Sequence, residues 1–267
     1  MPKAGQVMIF RRFLQRFRQQ QWGAIATELA IVIIGVFIGM QVSNWNAERE
    51  TNQKAKVFTA RLSDDLRKEA WGYEWLINYS HETNVNQRRV LDAMAGEITL
   101  SDEQFVISAY RATQYKENSP YRATYDELVS TGTIGLIANQ EMRETAINIF
   151  AAPWLDQIAR QARDSEYRKL FRETVPAGIQ EALLARCGDR FATVLDYATI
   201  EASLDYPCTL DQPAEKIRAA ADALRALPRF VPALRIRFAD NQTAIADLQT
   251  GNSSSLKNLQ AIRNAKP

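Results

Sequence analysis

Histidine and cysteine are almost missing: His81 stands alone, and Cys187 and Cys208 are the two thiols of a 267-residue chain. Zinc and non-haem iron sites need several such ligands at characteristic spacings, so no metal is expected, and nothing else points to a cofactor. No GxxxxGKS/T loop, no GxSxG elbow and no GxGxxG turn occurs, which removes the usual signatures of nucleotide binding and serine hydrolysis. His81 reads as an ordinary surface residue. Asp64 and Asp65 are neighbours on an expected helix, about 100° apart, so they are not a facing carboxylate pair, and a solvated helix face accounts for them.

An excess of one charge is missing too. Of 33 basic residues five precede an apolar run, and of 31 acidic residues one, Glu28, lies within it; the 28 and 30 that remain give a net charge of −2 for the rest of the chain. Basic and acidic residues alternate there as on a solvated surface, so no nucleic-acid partner is expected. Alternating strand patterns, internal repeats and low-complexity tracts are absent as well.

What is present is one long apolar stretch. Residues 23–42 read GAIATELAIVIIGVFIGMQV, with one ionisable group, and as helix they cover the roughly 30 Å of a bilayer's hydrocarbon. Trp22 and Trp45 flank the stretch where amphipathic rings prefer the headgroup layer, and Asn44, Asn46, Glu48, Arg49 and Glu50 mark the entry into water. A cleaved signal peptide is the competitor, but its apolar part is shorter, about 7 to 15 residues, and ends in small residues. Met40 to Trp45 offers no such site. Arg11-Arg12 resembles a twin-arginine signal only faintly.

Residues 1–21 hold Lys3, Arg11, Arg12, Arg16 and Arg18 and no acid. Near the span the tail has four arginines against Arg49, Lys54 and Lys56 on the far side, a slight bias. Exporting an acid-free tail is the less favourable choice, so we expect the N-terminus in the cytoplasm of a bacterium and the main domain in the periplasm. Phe10, Phe13, Leu14 and Phe17 share one helical face, which suits an interfacial helix on anionic lipid; a frayed tail whose charges only set topology is the alternative. An oxidising periplasm permits a Cys187–Cys208 disulfide; two separate buried thiols are the other reading, and spacing does not choose between them.

Within the span, Glu28, Gly35 and Gly39 fall on one stripe, flanked by Ala24 and Val42. Gly35 and Gly39 form a small-xxx-small pair that lets two backbones approach, and a carboxylate in hydrocarbon is best hidden against a partner. The expectation is association with a second copy or with another membrane protein; Glu28 reaching headgroup water is the alternative.

Beyond the span the pattern is helical. Residues 44–56 form a polar stalk, and a core-facing pattern begins at Phe58, Leu62, Leu66, Tyr73 and Ile77. Ser101 and Gln104 make a capping box, with Leu100 stapling to Phe105, ahead of a helix to about Tyr115. Lys116 to Pro120 breaks the chain. A helix over Tyr125 to Val129 ends at Gly132, suited to a left-handed C-cap, and Gly135 keeps the next connection irregular. Asn139 caps a helix through Met142, Ala146, Ile149 and Phe150. Further helices are expected over Trp154 to Thr174, Ala177 to Arg186, Ala214 to Ala226 and Phe230 to Gln249. The expected architecture is all-α: tail 1–21, transmembrane helix 22–43, stalk 44–56 and a helical domain over 57–267. Trp71 and Trp75, at i and i+4, either line a ligand or partner face or pack in the core.

The run Glu28 to Val42 followed by Ser43-Asn44-Trp45-Asn46 resembles a bacterial family of single-pass membrane proteins with no assigned activity. The segment Tyr125-Asp126-Glu127-Leu128-Val129-Ser130-Thr131-Gly132-Thr133-Ile134-Gly135-Leu136-Ile137 is similar to that family's second recurring stretch, of the form eLxxSGxxxLI. A Glu often follows the Trp-Asn pair in that family, where this chain has Ala47 and then Glu48. The two segments cover about 30 residues, and the resemblance implies topology and a helical domain but no chemistry. Function is therefore expected to be that of a membrane-anchored interaction, sensory or scaffold module of the envelope. An envelope enzyme using carboxylates, arginines or the Trp71 and Trp75 face is the alternative.

Overall fold

A computed structural model describes residues 22–264 except 118, 152–153, 202, 205 and 252, and the side chains of 22–25, 154–155, 201, 251 and 253 are also outside it. It is 79% helical, with no strand among the described residues. Two compact units meet between Lys56 and Val57. That boundary falls inside α1, Trp22–Ala95.

In the first unit α1 carries the apolar stretch, and it is the one helix among the described residues long and apolar enough to cross a membrane. Leu29, Ile31, Ile33, Val36, Phe37 and Met40 are all exposed, an arrangement that water would penalise along every face. At Gly35 and Gly39 no atom beyond the chain neighbours and the helix's own backbone lies within 4 Å of where a Cβ would stand.

The second unit is a bundle. After α1 come α2 Asp102–Ala112, α3 Ala123–Ser130, a 3₁₀ turn Ile134–Leu136, α4 Gln140–Phe150, α5 Trp154–Arg163, α6 Glu166–Thr174, α7 Ala177–Cys187, α8 Ala198–Glu201, α9 Ala214–Ala226, α10 Phe230–Ala246, a π turn Asp247–Gly251 and α11 Ser253–Asn264. Helix starts follow side-chain chemistry. Ser101 Oγ accepts from Gln104 N at 3.1 Å while Ser101 N donates to Gln104 Oε1 at 3.0 Å, and Asn139 Oδ1 accepts from Met142 N at 3.0 Å, each relieving N–H groups that the first turn leaves unpaired. Ends follow glycine: Gly132 has φ +68, with Gly132 N donating to Val129 O and Thr133 N to Leu128 O, a complete Schellman closure.

Two apolar clusters hold the bundle. Leu62, Leu66, Ala70, Tyr73 and Leu76 form one stripe of α1 and pack with Tyr125 and Leu128 of α3, Ala146, Ile149 and Phe150 of α4, Leu248 and Leu259. The other gathers Val90 of α1, Phe105 and Tyr110 of α2, Tyr167 and Phe171 of α6, Leu183, Leu224, Phe230 and Leu234. Each such burial stabilises by about 1.5 to 3 kcal/mol before the entropy of ordering is set against it.

Three helix boundaries depart from the sequence reading. The helix after Ser101 ends at Ala112, not Tyr115. The expected Trp154–Thr174 helix is broken at Asp164 and Ser165, the latter extended at φ −57, ψ 141, and the break lets Tyr167 and Phe171 enter the core. The helix from Phe230 leaves α geometry at Ala246 and continues as the π turn. Helices α8 and α11 were not expected at all. Asp64 and Asp65 also do more than face water: Asp64 pairs with Lys68 at 2.7 Å and Arg67 at 3.2 Å, and Asp65 Oδ2 accepts Thr124 N at 3.1 Å. Buried Glu69, one turn further along α1, accepts Tyr121 N, so two carboxylates of α1 bind the backbone where α3 begins.

Candidate functional site

The face of α1 roughly opposite the Leu62 stripe carries Trp71, Trp75 and Tyr79, spaced four residues apart and so stacked along one side. The indoles of Trp71 and Trp75 stack with centroids 5.4 Å apart and planes 25° apart, and Tyr79 meets Trp75 edge-on at 6.5 Å. Lys116, in the segment that follows α2, sets its ammonium 4.9 Å from the Trp75 centroid and 4.8 Å from that of Tyr79. It also pairs with Asp189 Oδ2, while Asp189 Oδ1 accepts the Tyr79 hydroxyl at 2.6 Å. Burial, and then the Asp189 carboxylate, push the Tyr79 phenol well above its ordinary range, so it stays a donor.

Asp189 begins the opposite wall, the segment that leaves α7. Trp71 Nε1 donates to the Asp196 carbonyl at 3.2 Å, and Ala192 and Ile200 pack on the Trp71 ring. Leu195 turns the chain back at φ +68, a left-handed conformation costly for a branched side chain, about 1 to 3 kcal/mol, that only a well-determined surrounding sustains. The surrounding here is covalent. Cys187 and Cys208 form a disulfide with Cα atoms 5.5 Å apart, tying the two ends of the segment 188–207. Buried Arg111 of α2 adds a second tie, donating to Tyr206 O at 2.8 Å and to Cys187 O at 3.5 Å.

Between the two walls lies a cleft of about 530 Å³ lined mainly by Trp71, Gly72, Trp75, Lys116, Arg190 and Phe191. The volume is that of a small-molecule site. Gly72 opens its floor: apart from its chain neighbours and the helix's own backbone, no atom lies within 4 Å of the place a Cβ would take, although glycine inside a helix costs about 1 kcal/mol relative to alanine. At the rim Phe191 is 89% exposed, the largest exposed apolar side chain among the described residues of the second unit.

The residues singled out from sequence divide between the units. Trp71 and Trp75 line the cleft, and Cys187 and Cys208 close its far wall. Glu28, Gly35, Gly39 and Trp45 belong to the first unit and are exposed on α1, with the Arg49 guanidinium 5.0 Å from the Trp45 ring. Trp22 and Ala24 fall in α1, but their side chains, like the tail 1–21, lie outside the described residues. His81 is exposed, its Nε2 3.0 Å from Gln249 Nε2. Lys116, Asp189, Arg190, Phe191 and Arg111 escaped the sequence reading. Gly72, set between two tryptophans inside a helix, was the one readable sign of a cavity there.

Compared with protein-family models, with curated proteins and with solved structures, the chain matches none. The resemblance at residues 28–46 and 125–137 therefore stands on those segments alone.

Proposed function

We propose that this protein is a membrane-tethered binding module of the bacterial envelope. Residues 22–43 cross the inner membrane, residues 1–21 stay in the cytoplasm, and residues 57–267 form a periplasmic domain that takes a ligand between Trp71, Trp75 and the clamped segment 188–207. The observation that carries the reading is the cleft itself: an aromatic wall, a glycine floor and an exposed phenylalanine, held open by a disulfide. A disulfide persists in an oxidising space, which supports the periplasmic side. The Lys116 ammonium and Asp189 carboxylate neutralise each other, and the Tyr79 hydroxyl donates to Asp189, an arrangement that suits holding a ligand in place.

A message from the cleft would pass through a second span, and Ala24, Glu28, Gly35 and Gly39 are the face that would meet another copy or a different membrane protein. The test of the cleft is native mass spectrometry of the full chain isolated from its membrane. A small-molecule adduct should survive in wild type and in Gly72→Ala and vanish in Gly72→Leu, whose side chain fills the floor. An unchanged adduct in all three, with Gly72→Leu melting as wild type does, would overturn the assignment.

A further inference from the structure

We infer that the ligand of the Trp71 and Trp75 cleft is a small amphiphilic acid: a flat or apolar body carrying one carboxylate or similar anion, with Arg190 as its counter-ion. The inference rests on reading the cleft as a ligand site and concerns the chemistry that fits it. Consider the charges that line it. Asp189 is taken up by Lys116 and by the Tyr79 hydroxyl. Glu117 is paired with Arg163 at 3.2 Å. Neither carboxylate is free to receive a cation. The Trp75 and Tyr79 faces are also used, because the Lys116 ammonium already lies over them, and its charge would repel a second cation.

Arg190 differs from all of these. Among the described residues it makes no ion pair, and its guanidinium lies 3.6 Å from the centroid of Tyr206, whose other guanidinium neighbour is Arg111 at 4.7 Å. Stacking holds the guanidinium, and the bond from Arg190 N to Ser203 O at 2.8 Å holds its backbone, neither of which uses up the charge. A planar guanidinium held this way presents a fork of donors matched to a carboxylate. Most of the rest of the lining, from Trp71, Trp75, Leu76, Phe191, Ala192 and Val194, is apolar, with Ser119 and Tyr121 the polar exceptions, and it suits a ring or short chain. One unpaired cation on a mostly apolar wall therefore selects an acid with an apolar body over a polyanion or an amine.

The test uses the full chain in lipid nanodiscs and three probes of one shape: 2-naphthoate, neutral 2-naphthamide and cationic 2-naphthylmethylammonium, followed by quenching of indole fluorescence. Naphthoate should bind about tenfold more tightly than the amide, the margin of one charge-assisted hydrogen bond, and the ammonium more weakly than both. Arg190→Gln should bring naphthoate down to the amide's affinity while leaving the amide unchanged; Gly72→Leu should weaken all three. Equal binding of the three probes, still lost in Gly72→Leu, would overturn the assignment of an acid and spare the cleft. No binding of any probe, or binding indifferent to Gly72→Leu, would overturn both.

Discussion

Replacing Cys187 and Cys208 together by alanine separates the thermodynamic role of the disulfide from its local one. The two residues are 21 apart in sequence; the chain-entropy relation for a loop of that size assigns the cross-link about 3 kcal/mol of stability, through the unfolded chain. For a domain of this size each kcal/mol moves the melting temperature by about 2 to 4 °C, so the loss should lie near 6 to 12 °C. Locally, the segment 188–207 then depends on Arg111 and on the bond from Trp71 Nε1 to the Asp196 carbonyl, and the strained Leu195 loses part of what holds it. Trp71 and Trp75 report that loosening directly. Melting of the full chain, followed by circular dichroism and by tryptophan emission, should show both the drop and a red-shifted native emission. Reductant should reproduce both in wild type and change nothing in the variant. Two freely titrating thiols in protein isolated from the envelope, or equal melting temperatures, would refute the reasoning.

Four further outcomes are expected. Phe191→Ala should leave the melting temperature unchanged, since the ring is 89% exposed, yet weaken an apolar ligand by about tenfold, the worth of half-burying such a ring. Asp65→Ala should cost about 1 kcal/mol in urea denaturation as a lost cap, and Glu69→Ala more, about 1 to 3 kcal/mol, because the Tyr121 N–H loses its acceptor in a buried place; equal, negligible effects would contradict the description of how α3 begins. Burial pushes Tyr110 up to about 12, and it raises Tyr79 and Tyr167 well above the ordinary value as well. Their neutral forms stabilise the fold fully below the unfolded value near 10, and that contribution is lost as pH rises from there, so urea midpoints should fall between pH 10 and 12, less steeply in Tyr110→Phe. Gly35→Ile with Gly39→Ile should abolish self-association of the span in a membrane reporter; unchanged association would remove that face from the account.

How far these features were readable depends on the range of the interaction behind each. The Ser101 and Gln104 box, the Asn139 cap and the Gly132 closure are contacts within five residues, and local pattern was enough for them. So was the Leu62 stripe of α1. Residues 253–255 are three serines, which read as loop, yet Leu256, Leu259 and Ile262 dock onto the cluster around Ala146 and Ile149, and packing there overrides propensity. The break at Asp164 and Ser165 was hidden because the apolar spacing runs on through it. Trp71 and Trp75 were legible as a face, but whether that face was core or cleft depended on a wall from residues 189–197, more than a hundred positions away. Arg111, Lys116 and Arg190 acquire their roles only through that same long-range closure; nothing in their own neighbourhoods marks them.

The measurement that reaches furthest is protease protection in spheroplasts, on a chain tagged at its N-terminus and read alongside the membrane and soluble fractions. The account requires the full-length chain in the membrane fraction, with residues 57–267 digested from outside and the tagged tail protected. A soluble chain beginning beyond Trp45, or a domain shielded until the cells are lysed, would contradict it.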